Sequence, residues 1–123
     1  MQEEQQLDIN DVLEVINNNS LLDICNSHLN NNKLATYFHN PQGIHGISHA
    51  RRVLLISLVI CYYEKLNAED TDILVKSSLY HDIGRSHDGV CFEHGRKSFE
   101  KMIRLGIIKN DKTEYTEILR YVI

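Results

Sequence analysis

Apolar residues recur along this chain at helical spacing, and no stretch of useful length alternates between apolar and polar residues. Residues 7–16 show this spacing, and three asparagines then interrupt it. Residues 21–29 repeat the pattern after Ser20, a residue type that often caps helices, and three more asparagines follow at 30–32. We therefore expect two short helices at the start of the chain, with Ser20 as the cap of the second.

The most apolar part of the chain predicts a long helix. A loop with one proline and two glycines, residues 41–46, precedes it, so the helix is expected to begin at Ile47 or Ser48. Residues 53–61 are apolar on almost every face, which favours a central helix buried inside an all-α domain. The apolar run is shorter than the roughly 20 residues that span a bilayer, so we predict no membrane segment.

A helix is also expected after this one. Asp70 or Thr71 is placed to cap it, and its apolar residues continue at helical spacing as far as Ile83. Gly84 follows directly, and glycine commonly ends helices in a left-handed conformation. We therefore predict that this helix reaches Ile83 and ends at a left-handed Gly84.

The last part of the chain predicts two further helices. One extends from about Phe92 to Leu105 and is stopped by Gly106. Another follows Asp111, its expected cap, and its pattern still continues at Ile123 without a closing signal, so we expect a C-terminally incomplete chain. The predicted architecture is a single all-α helical bundle around the central helix, residues 1–123, with N-terminal helices and a loop in 1–43, a core in 44–106 and the start of a further helix in 107–123.

Composition and charge narrow the class of protein. Hydrophobic residues make up 42% and charged residues 24%, as in ordinary soluble globular domains. The net charge of −4 does not favour binding to a phosphate backbone, so no nucleic-acid partner is expected. The three cysteines are odd in number and have no C-x-x-C spacing, which argues against a disulfide framework and a cysteine zinc site. We expect a reduced, cytoplasmic protein.

Three side chains predict a metal centre. His81 and Asp82 are adjacent at the expected end of a helix, and His49 lies in the first turns of the apolar helix upstream. Adjacent helical residues point about 100° apart, so His81 and Asp82 can reach one ion only where the helix ends. Imidazole and carboxylate together suit Mn, Fe, Co, Ni or Zn, while Mg²⁺ prefers oxygen ligands and stays an alternative. We predict that His49, His81 and Asp82 bind a divalent metal ion.

Three segments resemble the HD-domain metal-dependent phosphohydrolases. They are His49-Ala50-Arg51-Arg52-Val53, His81-Asp82-Ile83-Gly84-Arg85 and His94-Gly95-Arg96-Lys97-Ser98. The resemblance covers roughly residues 44–98, and their order and spacing match the family. It implies a helical bundle in which a histidine before an Arg-Val pair, the His-Asp doublet and a distant aspartate hold the metal. Carried over to this chain, the first three ligands are His49, His81 and Asp82.

The chain departs from the family at the last aspartate. In the family this ligand lies on a later helix, and the only aspartate here after the segment that begins at His94 is Asp111. Asp111 comes too early and is expected to cap the last helix. The fourth ligand is therefore expected beyond Ile123.

The resemblance also suggests residues that act on a substrate. It implies that His94 is a general acid or contacts phosphate, and the alternative is a solvated ring at the start of a helix. Arg52 and Arg85 are expected to neutralise phosphate oxygens, as are Arg96 and Lys97. Arg52 has an equal alternative, which is an ion pair with an acidic neighbour. His45 precedes His49 by four residues, but we expect it to stand behind the ligands or to face substrate.

Two functions remain open on these grounds. The first is a metal-dependent phosphohydrolase that uses a metal-activated water on a nucleotide or another small phosphorylated compound. The second is an HD-type regulatory or interaction module that binds metal without turnover. The sequence does not decide the type of phosphate bond, the metal, whether one or two ions bind, or the oligomeric state.

Overall fold

A computed structural model describes residues 8–123, so the predicted start of the first helix at Leu7 lies outside the described residues. Within that range the chain forms seven α-helices and no strand, which confirms the all-α prediction. The helices are α1 (Ile9–Asn18), α2 (Leu21–Leu29), α3 (Leu34–Tyr37), α4 (Ile47–Glu64), α5 (Ala68–Tyr80), α6 (His94–Arg104) and α7 (Glu114–Val122).

The side chains predicted to cap α2 and α5 do not make the capping hydrogen bonds. Ser20 precedes α2 in a left-handed conformation with φ 53°, and its side chain makes no capping hydrogen bond. The cap of α5 is Asn67, whose side-chain oxygen accepts a hydrogen bond from the Asp70 backbone N–H at 2.8 Å. Asp70 and Thr71 therefore lie inside the helix, because Asn67 already occupies the position from which a side chain reaches the free N–H groups.

The helix α5 ends earlier than predicted, and Gly84 is not left-handed. The last helical residue is Tyr80, and a turn over residues 81–84 follows it. Among the glycines of residues 8–123, Gly106 alone has a positive φ, 74°. A Cβ on Gly84 would lie 2.2 Å from the Ser98 backbone nitrogen, so glycine lets this turn pack directly against α6.

The predicted bounds of the last two helices also change. The helix expected from about Phe92 begins two residues later, and Phe92 is almost fully exposed before it. The predicted stop at Gly106 is confirmed by its left-handed backbone. The cap of α7 is Thr113 rather than Asp111, and Asp111 braces it by accepting a hydrogen bond from the Thr113 hydroxyl at 2.7 Å.

Two groups of buried side chains form the core, and Leu29 and Tyr80 contact both groups. The first group joins α3, α4, α5, α6 and α7 and includes Ile83 of the turn after α5; its members are Leu34, Phe38, Ala50, Ile73, Ile83, Phe99, Met102, Ile108 and Leu119. The second group joins α2, α4 and α5; its members are Leu21, Cys25, Leu54, Leu58, Val75 and Leu79. The turn that carries His81 and Asp82 is thus anchored in the core.

The long helix α4 contacts α1, α2 and α5. One side of it is buried, including Leu54 and Leu58, but Ile56 is 60% exposed and Ile60 is 47% exposed on the other side. Among the described residues, none of the helices combines the length and the apolar character needed to cross a bilayer.

Candidate metal centre

Three segments of the chain bring their polar side chains together. His45 lies in the loop before α4, and His49 lies in the first turn of that helix. Asp82 and His81 follow the end of α5, and His94 is the first residue of α6. Because α5 packs along α4 with its end beside the start of α4, residues distant in sequence become neighbours.

The carboxylate of Asp82 is the centre of this cluster. Its side chain is 3% exposed, and its Oδ2 lies 3.0 Å from His81 Nε2, 3.3 Å from His49 Nε2 and 3.6 Å from His45 Nδ1. The Nε2 atoms of His49 and His81 are 3.2 Å apart. One buried carboxylate oxygen is therefore faced by three imidazole rings, and the structure brings together the three predicted metal ligands His49, His81 and Asp82.

The other carboxylate oxygen of Asp82 has a different partner. Arg85 donates from Nε to Oδ1 at 2.7 Å, and its Nη1 donates to the Gly89 carbonyl at 2.9 Å. His94 is more distant, with its Nε2 3.9 Å from Oδ1. The paired guanidinium fixes the rotation of the carboxylate, so Oδ2 points towards the imidazoles.

Backbone carbonyls orient two of the histidine rings. His81 donates from Nδ1 to the Ser78 carbonyl at 3.0 Å, and His94 donates from Nδ1 to the Cys91 carbonyl at 2.8 Å. Histidines that bind metal ions commonly hold their second nitrogen in this way. In both rings the Nε2 atom is left facing the cluster.

The protonation of the cluster follows from burial and charge. Burial alone would raise the pKa of Asp82, but hydrogen bonds from His81 and Arg85 and their positive charges lower this pKa far below its ordinary value. Burial would lower the pKa of His81, but the hydrogen bond and charge of Asp82 raise it overall. Burial lowers the pKa of His49, and the charge of His81 lowers it further. An ionised carboxylate thus lies beside a neutral His49 at neutral pH.

His45 lies closer to the cluster than the sequence indicated. The sequence predicts that it stands behind the ligands or faces substrate, but its Nδ1 joins His49 and Asp82 in a group of donor atoms that all lie within 4.8 Å of one another. This Nδ1 is buried and has no hydrogen-bond partner among the described residues. The four-residue spacing to His49 was the available signal, and the ring reaches the cluster although it precedes the helix, with ring centroids 5.8 Å apart.

The remaining predicted phosphate contacts lie at the surface. Arg52 is exposed on α4 and makes no ion pair with another described residue. Arg96 is bound on the exposed side of α6, where it pairs with Glu93 and Glu100 at 2.8 Å each. Lys97 is also exposed. Arg85, in contrast, contacts Asp82 directly.

Ser98, the last residue of the segment that begins at His94 and one with no predicted role, supports the site. Ser98 is fully buried, accepts a hydrogen bond from the Gly84 N–H at 2.8 Å and donates to the His81 carbonyl at 2.7 Å. It ties the turn after α5 to α6. No sequence signal marks it, because a serine inside a helix is usually a surface residue.

No family model, curated protein or solved structure matches this chain. The resemblance to HD-domain phosphohydrolases therefore rests on the three short segments themselves. What the geometry adds is independent of that resemblance: three imidazole nitrogens and one ionised carboxylate meet in a partly buried cluster. Such a donor set is suited to a divalent cation.

Proposed function

We propose that His45, His49, His81 and Asp82 bind one divalent metal ion. The observation that carries this proposal is the single buried oxygen, Asp82 Oδ2, with three imidazole nitrogens within 3.6 Å. The unpartnered buried Nδ1 of His45 fits the same interpretation, because buried polar atoms without a partner are rare. Nitrogen-rich ligation favours Mn²⁺, Fe²⁺, Co²⁺, Ni²⁺ or Zn²⁺ over Mg²⁺.

We further propose that this centre belongs to a metal-dependent phosphohydrolase acting on a small phosphorylated compound such as a nucleotide. A divalent ion bound there would lower the pKa of a coordinated water, so that hydroxide is available near neutral pH. The resemblance of the three segments to HD-domain enzymes supports the reaction class. Three free thiols, Cys25, Cys61 and Cys91, support a reducing, cytoplasmic setting as part of the same proposal.

Within this proposal, Arg85 and His94 act on the phosphate group. Arg85 donates hydrogen bonds from Nε to Asp82 and from Nη1 to the Gly89 carbonyl, so its Nη2 is left to donate to a phosphate oxygen. His94 holds its Nδ1 proton on the Cys91 carbonyl, so Nε2 is the nitrogen that exchanges a proton with the leaving group. Arg52, which makes no ion pair with another described residue, stays a proposed phosphate contact.

The metal proposal is tested by loading the chain after treatment with a chelator. We expect about one Mn²⁺, Ni²⁺ or Zn²⁺ per chain by elemental analysis and calorimetry. His81→Ala and Asp82→Ala should lose this binding and His45→Gln should weaken it, because each removes one donor of the cluster. The control is His28→Ala, an exposed residue of α2. Unchanged binding in His81→Ala and Asp82→Ala would show that the metal binds elsewhere.

The enzyme proposal is tested on the metal-loaded chain with nucleoside mono-, di- and triphosphates, a phosphodiester and p-nitrophenyl phosphate. Turnover should disappear in Asp82→Ala and persist in His28→Ala. His94→Gln should keep its metal while kcat falls by about 10² to 10⁴, the usual contribution of a positioned acid. A kcat that His94→Gln leaves unchanged would exclude His94 from the chemistry.

The second candidate function is a metal-binding regulatory or interaction module without turnover. It is favoured by the engagement of the arginines, because Arg85 is paired with Asp82 and Arg96 with two glutamates. Arg85 and Arg96 then have fewer donors left for a phosphate group. Stoichiometric metal binding that Asp82→Ala removes, together with no hydrolysis of any substrate in the screen, would favour the module over the enzyme.

A further inference from the structure

An exposed row of four residues lies along α4, each four positions after the previous one. We call Arg52, Ile56, Ile60 and Glu64 the α4 ridge. Ile56 is 60% exposed and Ile60 is 47% exposed, although burial of a large apolar side chain stabilises a protein. Its two charged ends are exposed, and neither forms an ion pair with another described residue.

The surface beside the α4 ridge is also apolar. A groove of about 300 Å³ between α1 and α4 is lined by apolar residues alone, namely Val12, Ile16, Leu55, Ile56, Val59 and Ile60. None of the residues of α1 is buried, and its Ile9 and Leu13 are 68% and 49% exposed. The two helices therefore present an apolar surface of the kind that marks an interface.

The order of charges on the α4 ridge makes this ridge complementary to the same ridge of a second copy. The ridge begins with a cation and ends with an anion about 18 Å further on, given a rise of 1.5 Å per residue. If a second copy lies across it with a two-fold axis through the middle of the ridge, Arg52 of each copy meets Glu64 of the other. The same axis places Ile56 of each copy opposite Ile60 of the other. A parallel arrangement would instead bring like charges together.

We infer that a second copy of this chain docks antiparallel on the α4 ridge and forms a two-fold dimer. Rows of residues four apart run at about 26° to the helix axis, so two such rows laid antiparallel on each other place the two helices at about 50°. Such an interface is self-complementary, as a two-fold interface must be. In this dimer Arg52 pairs with Glu64 of the second copy and is then not available to a phosphate group.

The apolar centre is tested by sedimentation equilibrium over a range of concentrations. We expect the wild-type chain to dimerise and Ile56→Asp to be monomeric at concentrations where the wild type is dimeric, because a carboxylate would be buried against Ile60 of the second copy. The control is Tyr121→Asp, an equally drastic change at an exposed position of α7 that lies off the ridge. Far-UV circular dichroism checks that both variants are folded.

The charged ends provide a sharper test. Arg52→Glu and Glu64→Arg should each raise the dimer Kd by about tenfold or more, because each variant places like charges opposite one another twice. Mixing the two variants should restore association as a heterodimer, since every pair is then complementary. The double variant should restore the homodimer. Heterodimers are counted by native mass spectrometry with one chain carrying a tag.

Several results would overturn the inference. A wild-type chain that stays monomeric up to about 1 mM shows no useful self-association. A dimer that Ile56→Asp leaves intact uses another surface, and a dimer in which the mixed charge variants fail to pair is not antiparallel on this ridge. A monomer that binds phosphatidylcholine vesicles through Ile56 would assign the surface to lipid instead.

Discussion

Asp82 has a different kind of partner on each of its oxygens. Arg85 holds Oδ1, and the imidazoles of His45, His49 and His81 face Oδ2. A carboxylate in such an arrangement is ionised and fixed in direction before any ligand arrives. This preorganisation depends on the position of the turn after α5, which Gly84 sets by packing against α6.

Gly84→Ala is expected to disturb both stability and the cluster. Its new Cβ would meet the Ser98 nitrogen at 2.2 Å and the Lys97 carbonyl carbon at 2.4 Å, both of them backbone atoms that cannot turn aside. We expect a loss of about 1–3 kcal/mol in the free energy of unfolding, as for other overpacked sites, and weaker metal binding. Chemical denaturation and calorimetry measure the two effects.

The matched control is Gly89→Ala in the loop that follows. There the nearest atom to a new Cβ is a side-chain nitrogen of the exposed His87 at 3.2 Å, which can move. Gly89→Ala should therefore change the free energy of unfolding and metal binding little. If Gly84→Ala were as stable as Gly89→Ala, close contact between the turn and α6 would not be what places the site.

The helix α5 connects the site to the rest of the fold. Its start is capped by Asn67, and its end leads directly into the turn that carries His81 and Asp82. Its outer face is tied to α7, because Tyr115 donates to Asp72 Oδ2 at 2.7 Å and Lys76 donates to the same oxygen at 3.1 Å. Substitutions at the cap of α5 or in its contacts with α7 should therefore change the stability of α5.

Asn67→Ala is expected to lower the free energy of unfolding by about 1 kcal/mol, the usual loss when a capping side chain is removed. Ser20→Ala supplies the comparison, since Ser20 precedes α2 without making a capping bond. It should change stability by less than about 0.5 kcal/mol. Equal losses in the two variants, measured by urea denaturation, would contradict the assignment of the caps.

Asp72 and its partners Tyr115 and Lys76 form a network that predicts how the free energy of unfolding depends on pH. Burial alone would raise the pKa of Asp72, but hydrogen bonds from Tyr115 and Lys76 and the charge of Lys76 lower this pKa overall. A carboxyl whose pKa is lower in the folded state stabilises the fold above its ordinary pKa, and this contribution is lost as the pH falls through the folded value. The stability difference between wild type and Asp72→Asn should therefore be largest near neutral pH.

This difference should shrink below about pH 4, where the unfolded carboxyl becomes protonated. Urea midpoints measured from acidic to neutral pH give the profile. Asp70→Asn, in the exposed first turn of α5, serves as the control for removing a negative charge. If the stability difference between wild type and Asp72→Asn stayed constant over this pH range, the ionised carboxylate would not be what stabilises the network.

The whole molecule is held by two groups of core residues that share Leu29 and Tyr80. Tyr80 is the last residue of α5, next to His81. Tyr80 thus joins both groups beside the candidate metal centre, so neither group is expected to unfold while the candidate site remains intact. The chain should then unfold as one cooperative unit.

We expect Met102→Ala in the first group and Leu54→Ala in the second to lower the free energy of unfolding by about 2–5 kcal/mol each. Both side chains are fully buried. In each variant, circular dichroism and tyrosine fluorescence should report the same single transition, while Tyr121→Ala at the surface should stay close to wild type. Separate transitions for the two groups would mean that they fold independently.

Short stretches of sequence determine most of the helices and the types of polar side chain in the cluster. Helical spacing of apolar residues is a local property, so it predicted α1, α2, α4, α5, α6 and α7, the start of α4 at Ile47 and the stop at Gly106. The chemistry of imidazole and carboxylate likewise marked His49, His81 and Asp82, which the fold brings together. The four-residue α3 is too short to show a helical period.

The rest depends on which segments meet, and only the tertiary structure decides that. The nearness of His45 to Asp82, the bridge made by Ser98 and the close approach at Gly84 all require contacts between residues far apart in the chain. The exposure of Ile56 on α4 is of the same kind, because an apolar pattern predicts a helix but not which of its faces is covered. Local sequence thus determines the helices and the types of polar side chain in the cluster, and tertiary packing determines how they are arranged.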